Sequence, residues 1–390
     1  MIELKLALRN LWGAGLRTWL NVFILSLAFV MIIGMQGLFE GMNRQVSRSM
    51  TDIILGGGQY WHENYDPYDP LSLKESHAPV PENLRQRIRQ GRAAEILIVQ
   101  GSVYPEGRFQ PVLLKGIPPE QEILTLPTQY LAGGEEGIPA LIGTRMAQSS
   151  GLEQGSRVTV RWRDINGTFD ARDIRISGIM ETSVQAADSG QIWLPLDILQ
   201  GLTRMPGQAT LVVLAQRTSP PGRYPGWEFK NLDFLLEDIQ KVVKSKTAGA
   251  AIMYVVLMAL AMLAIFNTQV LSIFRRRREM GMLMALGFTR GRVVRLFTLE
   301  GALHSLLAVL VGAVYGIPLL RYFSASGWAL PEAMDSYGIA LGEKLYAYYS
   351  LELVIGTTLL VFIVTTVVSF LPTRKIAKLK PTDALRGRFS

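Results

Sequence analysis

Four apolar stretches constrain this chain more than anything else in it: 20–39, 250–274, 298–320 and 351–371. Each approaches the roughly 20 residues with which a helix crosses a hydrocarbon core, and nearly uncharged runs of that length have few homes outside a bilayer. The expected fold is an α-helical membrane protein with four transmembrane helices. Residues 40–249, between the first and second spans, are far more polar and read as an inserted mixed α/β domain. The first stretch is too long for the apolar core of a leader, and no small-x-small cleavage site follows it before Arg44, so it is expected to remain as a span.

Charge gives the expected orientation. Segments 1–19, 275–297 and 372–390 together hold sixteen Lys and Arg against three Asp and Glu, in a chain whose net charge is +8. Short basic connections stay inside the cell, which puts both termini and the 275–297 loop in the cytoplasm and 40–249 and 321–350 outside. A basic surplus distributed in this way is a topology signal and excludes a nucleic-acid footprint. There is no cysteine, so the external domain must be held by its own core.

The 275–297 loop is unusual. After Arg275-Arg276-Arg277-Arg278 comes Glu279 to Leu286, rich in Met, Leu and Ala and free of Pro and β-branched residues, with Gly287 placed to stop a helix. This short helix is apolar where a solvated loop would be polar. It can lie flat on the bilayer with its basic flanks on lipid phosphates, or fill a partner's groove with flexible Met side chains.

Elsewhere, Leu4, Leu8 and Leu11 with Lys5 and Arg9 suit an amphipathic helix on the inner surface. Gly34, Gly37 and Gly41 in the first span, and Gly312 with Gly316 in the third, offer small-residue contact points. Glu40 to Asp52 should continue the first helix out of the membrane. Phe234 to Thr247 has Leu235, Leu236, Ile239, Val242 and Val243 on one face, so two stalk helices bracket the external domain. Within that domain 94–100, 110–115, 157–163, 169–179, 191–194 and 210–214 read as strands, with Asn166-Gly167 as a tight hairpin. Short helices are expected over 144–150 and 196–202. Residues 56–68 are unlike a core strand; their Tyr60, Trp61 and Tyr65 either contact an acyl chain or partner, or pin the segment to its own domain.

Three stretches resemble a known family. The basic run followed by Glu279-Met280-Gly281-Met282-Leu283-Met284-Ala285-Leu286-Gly287 is similar to the first cytoplasmic loop of the FtsX domain in ABC-transporter permeases of the MacB, LolC/LolE and FtsX superfamily. Leu371-Pro372-Thr373-Arg374, followed by Lys380-Pro381-Thr382-Asp383-Ala384-Leu385-Arg386, resembles that family's closing signature, and 143–158 resembles part of its periplasmic core domain. The resemblance implies a coupling helix that sits on an ABC ATPase, comprising Arg278, Glu279, Met280, Gly281, Leu283, Met284, Ala285, Leu286 and Gly287. It also implies a bacterial inner membrane, a second permease subunit in a homo- or heterodimer, and ATPase motion passed through the stalks to the periplasm. Lipoprotein release is the favoured task, with a periplasmic lipoprotein carrier or adaptor and membrane lipids as further partners. A MacB-like efflux permease and an FtsX-like regulator of a cell-wall hydrolase are the alternatives.

No catalytic or metal constellation is legible. There is no G-x-x-x-x-G-K-[ST]; Gly56-Gly57-Gly58 lacks the following Lys. The expectation is therefore a non-catalytic subunit that binds no cofactor itself, with ATP and Mg on a separate ATPase. The histidines are His62, His77 and His304, and Glu300 and His304, one turn apart in the third span, read as helix-end packing rather than a proton relay.

Overall fold

The computed structural model describes residues 15–133, 137–182, 184–216, 218, 222–329 and 344–376. The amphipathic segment expected before Leu16 and the Lys380 to Arg386 signature lie outside them. The described chain divides into a helical unit, formed by residues up to Asn43, Val242–Ala329 and from Lys344 onward, and an α/β unit spanning Arg44–Lys241.

The helical unit is built on α1 (Leu16–Met50), α2 (Leu232–Arg275), α3 (Arg277–Ala285), α4 (Arg290–Ser326) and α5 (Leu351–Ile376). Four of these, all but α3, are long and apolar enough to cross a membrane. Local chemistry marks their ends. The Asn231 side chain accepts from Phe234 N at 2.9 Å to open α2, and Thr289 does the same for Arg292 N to open α4. Val22, Leu25, Phe29 and Ile33 of α1 pack with Met258, Ala261 and Ile265 of α2 and with Ala308 of α4. The opposite faces leave Ile252, Leu306, Val314 and Ile363 exposed, a liability in water that a bilayer removes. Gly316 lets Val30 of α1 approach to 2.7 Å from where a Cβ would stand, and at Gly37 a Cβ would strike the Tyr349 ring. Gln269 in α2 is buried, and its Oε1 makes no hydrogen bond among the described residues.

In the α/β unit, nine strands form one sheet: β1 (Gln59–His62), β2 (Ala93–Val103), β3 (Gln110–Ile117), β4 (Ile138–Gly143), β5 (Arg157–Arg163), β6 (Phe169–Met180), β7 (Gln191–Pro195), β8 (Leu211–Leu214) and β9 (Trp227–Lys230). Their order is β9-β1-β8-β2-β3-β7-β4-β6-β5, and β5 also pairs with the far end of β2, so six of the strands close on themselves. Alternation puts Leu97, Val99, Leu114, Ile142, Val160, Trp162, Ile176 and Ile192 inside that ring. The Trp162 indole N–H donates to Leu202 O at 3.0 Å, so even the largest core side chain keeps its polar atom paired. The pairings are antiparallel except β3 with β7 and β4 with β6. At the hairpin tip Gly167 takes φ 82°, and Asp164 Oδ1 accepts from Asn166 N and Thr168 N.

One expectation is corrected here. Residues 59–62 form a strand paired on both sides, with β8 and with β9. Gly56-Gly57-Gly58 makes that strand possible: a Cβ on Gly56 or Gly57 would meet the carbonyl oxygen of Leu214 or Ala215 within 2.5 Å. The glycine run serves a close backbone approach at the end of the first helix.

Candidate functional site

The loop between α2 and α4 holds the first set of candidate residues. Arg276 leaves the helical register (φ −97°, ψ 16°), ending α2, and α3 then runs to Ala285 with Gly287 at φ 93° behind it. The Arg276 guanidinium organises the corner. Its Nε lies 2.7 Å from Glu279 Oε2, its Nη1 lies 3.0 Å from Glu300 Oε2, and it stacks 5.1 Å from the Phe297 ring centroid. The guanidinium thus ties the first turn of α3 to the flank of α4. His304 Nδ1 sits 2.7 Å from Glu300 O, so both of these polar groups in α4 have local structural partners.

Below that clamp α3 has two faces. Gly281 is buried, and Met284 packs with Phe288 on Ile273, Val293 and Phe297. Leu283 is half-buried. The opposite face shows Glu279, Met282 at 55% exposure, Ala285, and Leu286 at 75%. Spacings of three and four residues put Glu279, Met282 and Leu286 on one stripe. Of the nine expected site residues, Glu279, Ala285, Leu286 and Gly287 are exposed, while Gly281 and Met284 belong to the packing side. The side chains of Arg278 and Met280 lie outside the described residues. Met282, part of the same motif, shares the exposed stripe with Glu279 and Leu286; the partnership of Arg276 with Glu300, 24 positions away, leaves no local trace in the sequence.

The aromatic candidates separate by face. Tyr60 is fully buried among Val80, Leu84, Val212 and Trp227, and its hydroxyl donates to Gly222 O at 2.7 Å. It is a core residue, correcting its expected role as a contact residue: in a strand covered on both sides, alternate residues must point inward. Trp61 and Tyr65 face the other way, edge to face at 5.1 Å, and line a cavity of about 770 Å³ in the α/β unit. Burial pushes the Tyr65 hydroxyl up to about 12. Among the described residues, no group of His, Cys, Asp and Glu could hold a metal ion.

Family comparison bears on both units. Residues 18–222 match the MacB-like periplasmic core domain, more than half of the chain, and residues 251–381 match the FtsX-like permease C-terminal domain. The chain belongs to the MacB, LolC and FtsX superfamily of ABC-transporter permeases. It is 26% identical over 232 residues to an uncharacterized ABC transporter permease of Methanocaldococcus jannaschii, covering 55% of each chain. With the macrolide export ATP-binding/permease protein MacB of Bordetella avium it shares 23% over 240 residues, 56% of this permease and 34% of that protein. With the lipoprotein-releasing system transmembrane protein LolC of Xylella fastidiosa it shares 21% over 316 residues, 72% of this chain and 74% of LolC. The permease thus spans about half the length of the archaeal relative and a third of MacB.

Proposed function

We propose that this permease is driven by a separate ATPase subunit through α3 and transmits that motion to its α/β unit, where lipidated cargo is drawn from the inner membrane. The observation that carries the docking half is the exposed stripe Glu279, Met282 and Leu286 on a helix held by the Arg276 clamp. Exposed apolar side chains on a braced helix suit insertion into a groove, because little ordering remains to be done on binding. Support for the cargo half comes from the extent of the LolC alignment, which runs through most of both chains. In this reading α3 faces the cytoplasm, two permeases pair, and ATP with Mg binds only the ATPase. A MacB-like efflux role is the second reading, favoured by the match of 18–222 to the MacB-like core domain.

The test is a gentle-detergent pull-down of tagged permease from its native membrane, with and without Leu286→Glu. Leu286 is so exposed that the variant should unfold at the same temperature as the parent. The parent should bring down an ATPase together with lipoproteins, and the variant should lose the ATPase by at least tenfold. Equal ATPase recovery would remove α3 from the docking surface, and an adaptor in place of lipoproteins would move the assignment to efflux.

A further inference from the structure

The cavity that Trp61 and Tyr65 line has a floor that their own strand does not explain. Trp61 on β1 stands opposite Leu211 on β8, Leu211 opposite Ile96 on β2, Ile98 opposite Lys115 on β3, and Lys115 opposite Trp193 on β7. This is one continuous row on the face of the sheet that points away from the ring's interior. Ile54, Leu55 and, in the first turns of α2, Phe234 and Leu235 stand around it, all within the α/β unit. The row is apolar except at a single position.

That position is Lys115. The residue is only 9% exposed, and its ammonium lies 5.0 Å from the Trp193 ring centroid. Among the described residues no carboxylate or hydrogen-bond acceptor lies within bonding distance of it. Lysines at the edge of a core ordinarily snorkel to water or find an anion, because a desolvated ammonium without a counter-charge is costly. Burial accordingly pushes this one down to about 8. The cavity does contain acids, but they are exposed at its rim and largely occupied. Glu228 pairs with Lys230 at 2.7 Å, and Glu237 and Asp238 pair with Lys241 at 3.0 and 3.3 Å; Glu63 and Asp66 face solvent.

We propose that this cavity binds a single-chain anionic amphiphile, its carboxylate or phosphate paired with Lys115 and its chain lying along Trp61, Leu211, Phe234 and Ile239. Charge complementarity selects the head group, and the apolar walls select the chain. Each methylene buried there should raise affinity roughly fourfold. A small free anion gains nothing from those walls and should bind far more weakly. A volume of about 770 Å³ falls within the range of small-molecule pockets. The inference goes beyond the transport reading and does not depend on it: the site needs neither ATP nor a partner subunit.

The test uses the full chain in phosphatidylcholine nanodiscs without ATPase or nucleotide. A photoactivatable stearate is cross-linked and the labelled peptides are mapped by mass spectrometry, beside a photoactivatable stearyl alcohol of equal length. The acid should label peptides containing Trp61, Tyr65 and Phe234, and the alcohol should label those peptides at least tenfold less while still labelling the membrane helices. Lys115→Met, which keeps the side chain's length and removes its charge, should cut cavity labelling by the acid at least tenfold, and Lys115→Arg should keep most of it. A thermal melt of each variant separates lost binding from lost folding. Equal cavity labelling by acid and alcohol, indifference to Lys115→Met, or label confined to the membrane helices would overturn the proposal. Competition by inorganic phosphate would replace it with a simple anion site. Because no ATPase is present, none of these outcomes depends on whether α3 docks one.

Discussion

Arg276 and Lys115 are both largely withdrawn from water, and the fold treats them in opposite ways. Arg276 is held by two carboxylates and an aromatic face in the helical unit; Lys115 in the α/β unit has an aromatic neighbour and no anion. The residue types suit these roles. A planar guanidinium satisfies two acids at fixed angles, whereas an ammonium on a flexible stem changes its protonation readily when buried. A cation with its counter-charges built in is a brace. One without them lowers stability, and a protein retains such a residue most readily where it meets something else.

The largest effect should come from breaking the brace. Arg276→Met leaves Glu300, whose side chain is 6% exposed, without the guanidinium beside it. Stripping one partner from a buried pair exposes the desolvation cost of the other, here about 3 kcal/mol. Thermal unfolding of the variant in detergent should show that loss, and Arg276→Met combined with Glu300→Gln should recover part of it, since the second change removes the charge that the guanidinium balanced. A double variant no more stable than the single one would mean that the clamp does not work as a pair.

The second effect has the opposite sign. A lysine that titrates at about 8 instead of near its usual 10.4 costs the fold at most about 3 kcal/mol at neutral pH. Because the folded-state value lies below the unfolded one, the penalty is complete below pH 8 and fades as pH rises toward 10.4, where the unfolded chain also releases its proton. Lys115→Met should therefore raise the unfolding midpoint at pH 7 and remove that residue's share of the gain in stability between pH 8 and 10. If the substitution destabilises the protein, the lysine is contributing through packing, and the contrast with Arg276 disappears.

What the sequence disclosed follows the range of the interactions involved. The four spans are local properties of composition, and the strands over 94–100, 110–115, 157–163, 169–179, 191–194 and 210–214 were legible from alternation and turn residues. The strands at 59–62, 138–143 and 227–230 were not. The first is four residues long and owes its place to partners about 150 positions away, so nothing local distinguishes it from an aromatic loop. Trp61 and Tyr65 were picked out by side-chain type; that Tyr60 turns inward and Trp61 outward needed the pairing. Lys115 follows Val112 and Leu114 in plain alternation and reads as solvent-facing until segments distant in sequence are seen around it.

The smallest effect sharpens the comparison from the side of Arg276. Glu279 is its more exposed partner, 58% accessible at the side chain against 6% for Glu300, although its contact is the shorter at 2.7 Å. Distance alone would rank Glu279 first. Solvent reverses the order, because an exposed pair is screened and must give up side-chain freedom, so Glu279→Gln should cost about 0.5 kcal/mol or less. A double-mutant cycle should give a small coupling between Arg276 and Glu279 and a much larger one between Arg276 and Glu300. If the two couplings prove equal, the guanidinium belongs to α3 as much as to α4. In that case Glu279 could not be neutralised without loosening the helix, and its place on the exposed stripe with Met282 and Leu286 would be structural before it was functional.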